Sequence, residues 1–368
     1  MGPQAPATGP AARPPARRVD GGPSVAYGGA MPPRDRHDWT REEVAALWAR
    51  PLLDLVFDAA TVHRARWPRR DVQRATLLSV KTGGCAEDCG YCPQASRYAT
   101  GVERQALLPL DAVKAAATQA KAEGASRFCM GGAWRDVPDG PAFDRLLEMV
   151  RAVRGLGLEA CLTAGMLRRD QADRLAEAGL SAYNHNLDTG EGYYDRVITT
   201  RTWADRLATL DHVRDAGIPV CCGGILGLGE AEGDRIDLLH RLATFTPHPE
   251  SVPINLLVPV DGTPMAGRPK VDPFDLVRAV AVARLLMPSA RIRLSAGRRD
   301  LTDGDHALCF LAGANSIFAG DRLLTTPNVD GDRDDALLAR LGLASAPAPA
   351  EADAGATRAD GVPACPAP

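Results

Sequence analysis

The chain has 368 residues, 45% hydrophobic and 24% charged, with a formal net charge of -3. These values describe an ordinary globular protein with core enough for one large domain or two, and they exclude nucleic-acid binding driven by bulk positive charge. No run has the length and apolarity of a bilayer span, and the Pro-, Ala- and Arg-rich start lacks the apolar segment of a secretory signal. The nine cysteines are therefore expected in a reducing cytoplasmic setting, where clustered thiols mean metal or catalysis rather than disulfides.

In chain order, residues 1–38 form a Pro/Ala/Arg-rich extension too poor in large apolar groups to order itself, and 346–368, which carries Cys365, shares that character. Both tails are expected to be disordered, flanking one domain over 39–345. Helices are expected over 40–48 and 52–65. Strands are then expected over 76–81, 126–131, 159–164, 181–186, 219–225, 251–258, 291–296 and 315–319. Helical periodicity lies between them over 111–123, 143–156, 168–178, 202–216, 232–245, 273–286 and 301–311, with a last stretch over 334–341. Gly124, Gly179 and Gly217 fall just past three of these helices, where a left-handed C-cap is wanted. Eight strand–helix units fit an α/β fold of the (β/α)8 TIM type with an N-terminal helical addition. An open doubly wound sheet is the alternative, and in either topology ligands bind at the carboxyl ends of the strands.

After the first strand comes Cys85-Ala-Glu-Asp-Cys89-Gly-Tyr-Cys92. Three thiols so spaced can wrap three corners of a [4Fe–4S] cluster and leave the fourth iron open, since the next cysteine, Cys129, lies beyond a helix. A zinc knuckle is the other reading, and it needs a fourth ligand. Because side chains alternate along a strand, Ser79 and Lys81 share one face, as do Arg127 and Cys129, and Glu159, Cys161 and Thr163. So do Asn184 and Asn186 with Asp188, and Arg293 with Ser295, while Cys221 and Asn255 are placed inward on their strands. Singly, each buried cysteine reads as a small hydrophobe. Together, Cys129, Cys161 and Cys221 with Arg293 would surround a second metal site, and an anionic [2Fe–2S] unit is a partner that a buried arginine needs. On spacing alone an ion pair ranks above arginine ligation. Lys81 reads either as an exposed strand end or as a group near the loop, and His185, alternating outward, as a packed residue. The glycine-rich turn over 222–230 allows close backbone approach but matches no phosphate-binding motif.

Ser79-Val-Lys-Thr-Gly83, Tyr91-Cys-Pro-Gln-Ala-Ser-Arg-Tyr98, Tyr183-Asn-His-Asn-Leu-Asp-Thr189, Gly223-Gly-Ile-Leu-Gly-Leu-Gly-Glu230, Arg293-Leu-Ser-Ala-Gly-Arg298 and Leu324-Thr-Thr-Pro-Asn328 follow one another along the chain. With the cysteine loop, these words resemble the biotin synthase family of radical S-adenosylmethionine enzymes, over about residues 40–343. The resemblance implies a [4Fe–4S] cluster on Cys85, Cys89 and Cys92, with S-adenosylmethionine chelated at the open iron. It implies a [2Fe–2S] cluster on Cys129, Cys161, Cys221 and Arg293, in place of the ion pair. Asn186 and Asp188 would contact the adenosyl ribose, Arg206 the methionine carboxylate, and Tyr91 and Ile225 would lie near the adenine. Asn255 and Thr325 would fix the ureido ring of dethiobiotin, with Asn186 between the two ligands.

The implied reaction is insertion of sulfur into dethiobiotin to form biotin, started by 5'-deoxyadenosyl radicals and supplied with sulfide by the inner cluster. Implied too are a homodimer, a flavodoxin- or ferredoxin-type electron donor and the iron–sulfur assembly machinery, with no nucleic acid and no membrane. Met130-Gly-Gly-Ala133 follows the family's variant of the Gly-Gly-Glu found in many radical enzymes, and Cys222 stands where the family often has serine. A radical enzyme without sulfur insertion would have no need of the three inner cysteines with Arg293. A redox-sensing iron–sulfur protein would give no reason for Asn186, Asp188 and Asn255.

Overall fold

In the computed structural model, which describes residues 35–67 and 70–346, the chain begins with α1 (Arg41–Trp48) and α2 (Leu52–Arg66), followed by β1 (Asp71–Lys81) and α3 (Leu110–Ala122). Next come β2 (Arg127–Gly132), α4 (Pro141–Gly155), β3 (Glu159–Thr163), α5 (Arg169–Glu177), β4 (Ala182–Asn184), α6 (Glu191–Tyr194) and α7 (Trp203–Asp215). Then follow β5 (Val220–Cys221), β6 (Gly224–Leu226), α8 (Glu232–Ala243), β7 (Ser251–Leu256), α9 (Pro273–Leu286), β8 (Arg291–Leu294), α10 (Asp303–Leu311) and β9 (Ser316–Ala319). The chain closes with β10 (Arg322–Leu323), β11 (Thr326–Pro327), α11 (Gly331–Leu341) and β12 (Ala344–Ser345).

Strands β1, β2, β3, β4, β5, β7, β8 and β9 hydrogen-bond in that order, and β9 returns to β1 in parallel, so the sheet closes. This is the (β/α)8 barrel. β5 and β6 are two pieces of one stave, because β6 also pairs with β7. The break falls at Cys222 and Gly223, where the Gly223 backbone lies so close to β7 that an added Cβ would sit 1.9 Å from the Pro253 carbonyl. Only glycine fits there.

Alternation sorts the side chains. Phe128, Met130, Leu162, Tyr183, Val220, Cys222, Ile292 and Leu294 face the helices and join the main apolar core. The inward layer is Ala75, Cys129, Cys161, Ala182 and Cys221, with Leu77 and Phe318 against it. Barrels ordinarily fill that space with large branched residues. Small ones leave this barrel hollow.

Three features differ from the sequence reading. β1 begins at Asp71 rather than 76, because Gln73 is buried inward and Arg74 is ion-paired with Asp335 on α11, so both polar residues belong to a strand. The β10–β11 hairpin and β12, which pairs with Asp71 and Val72, are two-residue pieces too short to show a period. The disorder expected for the tails lies outside the described residues over 1–34 and 347–368, which include Cys365. The last four residues of the expected N-terminal extension are placed instead. Ser289 donates to Asp35 at 2.8 Å, and the His37 ring nitrogen meets the Phe245 carbonyl at 2.6 Å. Ala346 likewise continues the β12 pairing, donating to the Val72 carbonyl at 2.9 Å. Among the described residues, no helix is long and apolar enough to cross a membrane.

Candidate active site: two thiol sets on one cavity

The outer thiols sit on the loop that leaves β1. Gly83 and Gly84 both hold φ of 68°, a left-handed turn that glycine enters without penalty and that reverses the chain into Cys85. The Gln94 carbonyl accepts from the Cys85 backbone at 3.0 Å, and Cys92 donates back to the Cys89 carbonyl at 2.9 Å, so the loop is closed on itself. Asp88 fixes it to the chain after α6, accepting from the Thr199 and Thr200 backbone amides at 2.9 and 3.1 Å. Those bonds, with the threonine hydroxyls, outweigh the opposing effect of burial and hold the Asp88 carboxyl down to about 2. Lys81 is not exposed. It is buried, and its ammonium donates to the Gly83 and Ala133 carbonyls at 2.8 and 2.7 Å, tying the loop entry to the end of β2.

The inner thiols sit on strand faces. Cys129 and Cys161 are register partners on β2 and β3, and Cys221 pairs with Asn184 across β5 and β4. The Asn184 amide nitrogen lies 3.3 Å from the Cys221 sulfur. The neighbouring Cys161 thiol, despite burial, lowers the Cys129 thiol, while the Cys129 neighbour raises Cys161. Arg293 is fully buried beside them, with Nη1 3.8 Å from the Cys221 sulfur and its guanidinium 5.1 Å from the Phe318 ring centre. Below, Arg127 donates to Glu159 at 2.6 Å and grips Glu250 with two bonds of 2.8 and 2.9 Å, closing the floor with a satisfied ion triad.

Both sets open on a single cavity of about 320 Å³, bordered by Cys85, Cys89, Cys92, Cys129, Cys161, Cys221 and Arg293. Tyr91, Asn186, Ile225, Asn255 and Thr325 also border it. Asp188 and Arg206 do not. They form a buried ion pair behind the wall, where Asp188 also accepts from the Tyr91 hydroxyl at 2.8 Å and Arg206 donates to the Tyr194 hydroxyl at 2.7 Å and to the Asn186 carbonyl. Each consumes the other's charge. His185 packs outward as read, with burial pushing its imidazole well below the usual range. Sequence reasoning missed Gln73, Glu250 and Arg201. Gln73 stood before the expected first strand, and Glu250 just before the sixth, so neither showed a face. Arg201, in the Thr-rich stretch before α7, borders the cavity 3.7 Å from Glu87.

The donor chemistry suits clusters. Among the described residues, no three His, Cys, Asp or Glu side chains converge as a single metal ion needs, whereas a cluster offers separate irons to separate thiolates. Burial raises Cys85 and pushes Cys92 up to about 11, so free thiols stay protonated and give up protons on coordination. Among the described residues no carboxylate ion-pairs with Arg293: Nε and Nη2 are bonded to the neutral Ser316 and Gln73 side chains, and Nη1 is left 3.8 Å from the Cys221 sulfur. A buried guanidinium so placed fits an anionic iron–sulfide unit.

Residues 79–242 match the family model described as the radical SAM superfamily, and residues 253–344 match the biotin and thiamin synthesis associated domain. A biotin synthase of Methylobacterium sp. (strain 4-46) is 62% identical over 312 residues, 84% of this chain and 94% of the relative. One from Synechococcus elongatus is 62% identical over 307 residues, 83% of this chain and 96% of the relative. Among solved structures, a methylornithine synthase superposes with a TM-score of 0.69 at 20% identity, covering 83% of this chain and 94% of the other. An FeFe-hydrogenase maturase from Carboxydothermus hydrogenoformans gives 0.70 at 16% identity, covering 83% and 75%, and so shares the fold. With this much identity along nearly the whole of its relatives, the chain belongs to the biotin synthase family of radical S-adenosylmethionine enzymes.

Proposed function

We propose that the chain converts dethiobiotin to biotin by radical insertion of sulfur, with the radical generated at the outer thiol set and the sulfur drawn from the sulfide of a [2Fe–2S] cluster held at the inner one. The observation that carries this reading is the single cavity onto which both sets open, with Asn186 and Asn255 also on its wall. When bound, a [4Fe–4S] cluster with S-adenosylmethionine supplies a 5'-deoxyadenosyl radical, and a [2Fe–2S] cluster supplies sulfide.

The chain holds and aims these groups. Cys85, Cys89 and Cys92 hold the outer cluster, and Cys129, Cys161, Cys221 and Arg293 the inner one. Asn255 is a fixed amide: its nitrogen donates to the Gly224 carbonyl at 3.0 Å and its oxygen accepts from the Ala296 amide at 3.2 Å. One N–H and one lone pair remain, the complement of a ureido group. The Asn186 oxygen is held by Asn184 and by the Gly223 amide, both at 3.1 Å, which leaves its NH2 for a ligand bridging adenosyl group and substrate. Thr325, from the hairpin turn, covers the substrate, and Tyr91 and Ile225 flank the adenine. Asp188 and Arg206 act one step back, Asp188 by anchoring the Tyr91 hydroxyl and Arg206 by anchoring the Asn186 carbonyl. The enclosed barrel keeps water from a reactive radical.

The free state of the eight described cysteines suits a reducing cytoplasm. Electrons would come from a flavodoxin- or ferredoxin-type donor, both clusters from the assembly machinery, and the chain would work as a homodimer. The test is anaerobic reconstitution with iron and sulfide, then reductant, S-adenosylmethionine and dethiobiotin. 5'-Deoxyadenosine and biotin are both expected, and absence of both would overturn the reading. Cys129→Ala is expected to keep S-adenosylmethionine binding and to make no biotin.

A further inference from the structure

Gln73, which the reaction described above does not use, lies at the centre of the barrel floor. It is 1% exposed, on the inward face of β1, two residues below Ala75. Its nitrogen donates to Glu159 Oε2 at 2.9 Å, and its oxygen accepts from Arg293 Nη2 at 2.9 Å and from the Ser316 hydroxyl at 3.2 Å. The orientation of this amide follows from its partners. Glu159 bears a carboxylate that can only accept, so the end facing it is the NH2, and Arg293 can only donate, so the end facing it is the oxygen. Flipped, the amide would oppose donor to donor and acceptor to acceptor. Glu159 is itself held by Arg127 at 2.6 Å, so the whole line from Glu250 through Arg127, Glu159 and Gln73 to Arg293 has one arrangement.

Two of the three guanidinium nitrogens of Arg293 are thus anchored on the side away from the thiols, Nη2 on Gln73 and Nε on the Ser316 hydroxyl at 2.8 Å. Nη1 is left pointing at Cys221. The spacer between Glu159 and Arg293 is neutral. Were it a carboxylate, it would pair with the guanidinium directly and draw both its charge and its position toward the floor.

We propose that Gln73 is a positioning residue for Arg293, a neutral amide that holds the guanidinium toward the three inner thiols while keeping Glu159 from taking it. This rests on the proposed inner cluster site. Gln73→Leu removes the anchor and leaves Glu159 short of one donor, and Gln73→Glu, of nearly equal shape, takes the same donor from Glu159, sets a second carboxylate against it and replaces the neutral anchor of Arg293 by a charged one. The chain would be reconstituted anaerobically with iron and sulfide, and the visible absorption of each cluster followed under dithionite, with iron content and deoxyadenosine formation measured alongside.

In both variants the inner absorption is expected to bleach roughly tenfold faster, the scale of one lost hydrogen bond to a charged group, with its band moved most in Gln73→Glu. The outer cluster and deoxyadenosine formation are expected to stay within about twofold, a selectivity that general loosening of the fold would not give. Should Gln73→Leu fail to fold, Gln73→Glu carries the test alone. Inner-cluster bleaching and spectrum equal to those of the unaltered chain would overturn the proposal. If the unaltered chain itself takes up only the iron of the outer cluster, the reading of the inner site fails instead.

Discussion

His63 on α2 is buried, and among the described residues its Nδ1 has no hydrogen-bond partner. Burial, reinforced by the charges of Arg284 and Arg64, pushes its imidazole down to about 3 from 6.5. The ring is neutral in the folded chain and protonates in the unfolded chain below the unfolded value. Its contribution to stability is therefore complete above pH 6.5 and is lost as pH falls toward 3. The slope from one such group is at most about 1.4 kcal/mol per pH unit. His63→Leu is expected to flatten the fall of urea stability between pH 6.5 and 4 by roughly that amount, and an unchanged slope would show that the ring is hydrated. At this scale much of the site was legible. Cys129, Cys161, Cys221 and Arg293 could be put on one face because strand side chains alternate with a period of two. The mutual capture of Asp188 and Arg206 was not legible, since charges 18 positions apart announce no pairing in the sequence.

The elements after β8 show what short segments contribute. Arg298 is 2% exposed and donates to Asp334 on α11 at 2.9 Å and to the Phe318 carbonyl at 3.0 Å. Asn328, just past the β10–β11 hairpin, donates to that same carbonyl at 3.0 Å and to the Gly320 carbonyl at 2.7 Å. Hairpin, α11 and the end of β9 are thereby held as one piece over the cavity mouth, which Leu324 and Thr325 border. Removing one partner of a buried ion pair leaves the other charge without compensation. Asp334→Ala is expected to cost about 3–5 kcal/mol, read from urea unfolding monitored by circular dichroism. A loss below about 1 kcal/mol would mean that water reaches Arg298 and screens it. The eight alternating units were legible because the apolar period switches between two and 3.6 at every boundary. The hairpin and β12 were not, for two residues cannot display a period.

For the whole molecule, the closed parallel sheet brings together thiols that the sequence spreads from Cys85 to Cys221. Small inward residues then leave a space where other barrels have a packed core. The order of the cysteine loop and the strand-borne polar residues could be read from the sequence; the volume between them and the buried floor of Gln73, Arg127, Glu159 and Glu250 could not, because they depend on closure. The central claim is that sulfide held at the inner thiol set supplies the sulfur. It is tested most directly by one turnover of chain reconstituted with sulfide of a heavy isotope, with the mass of the biotin and the absorption of both clusters followed together. Heavy biotin is expected to appear one for one as the inner absorption disappears and the outer persists. Biotin of ordinary mass, or heavy biotin formed while the inner absorption stays intact, would contradict it.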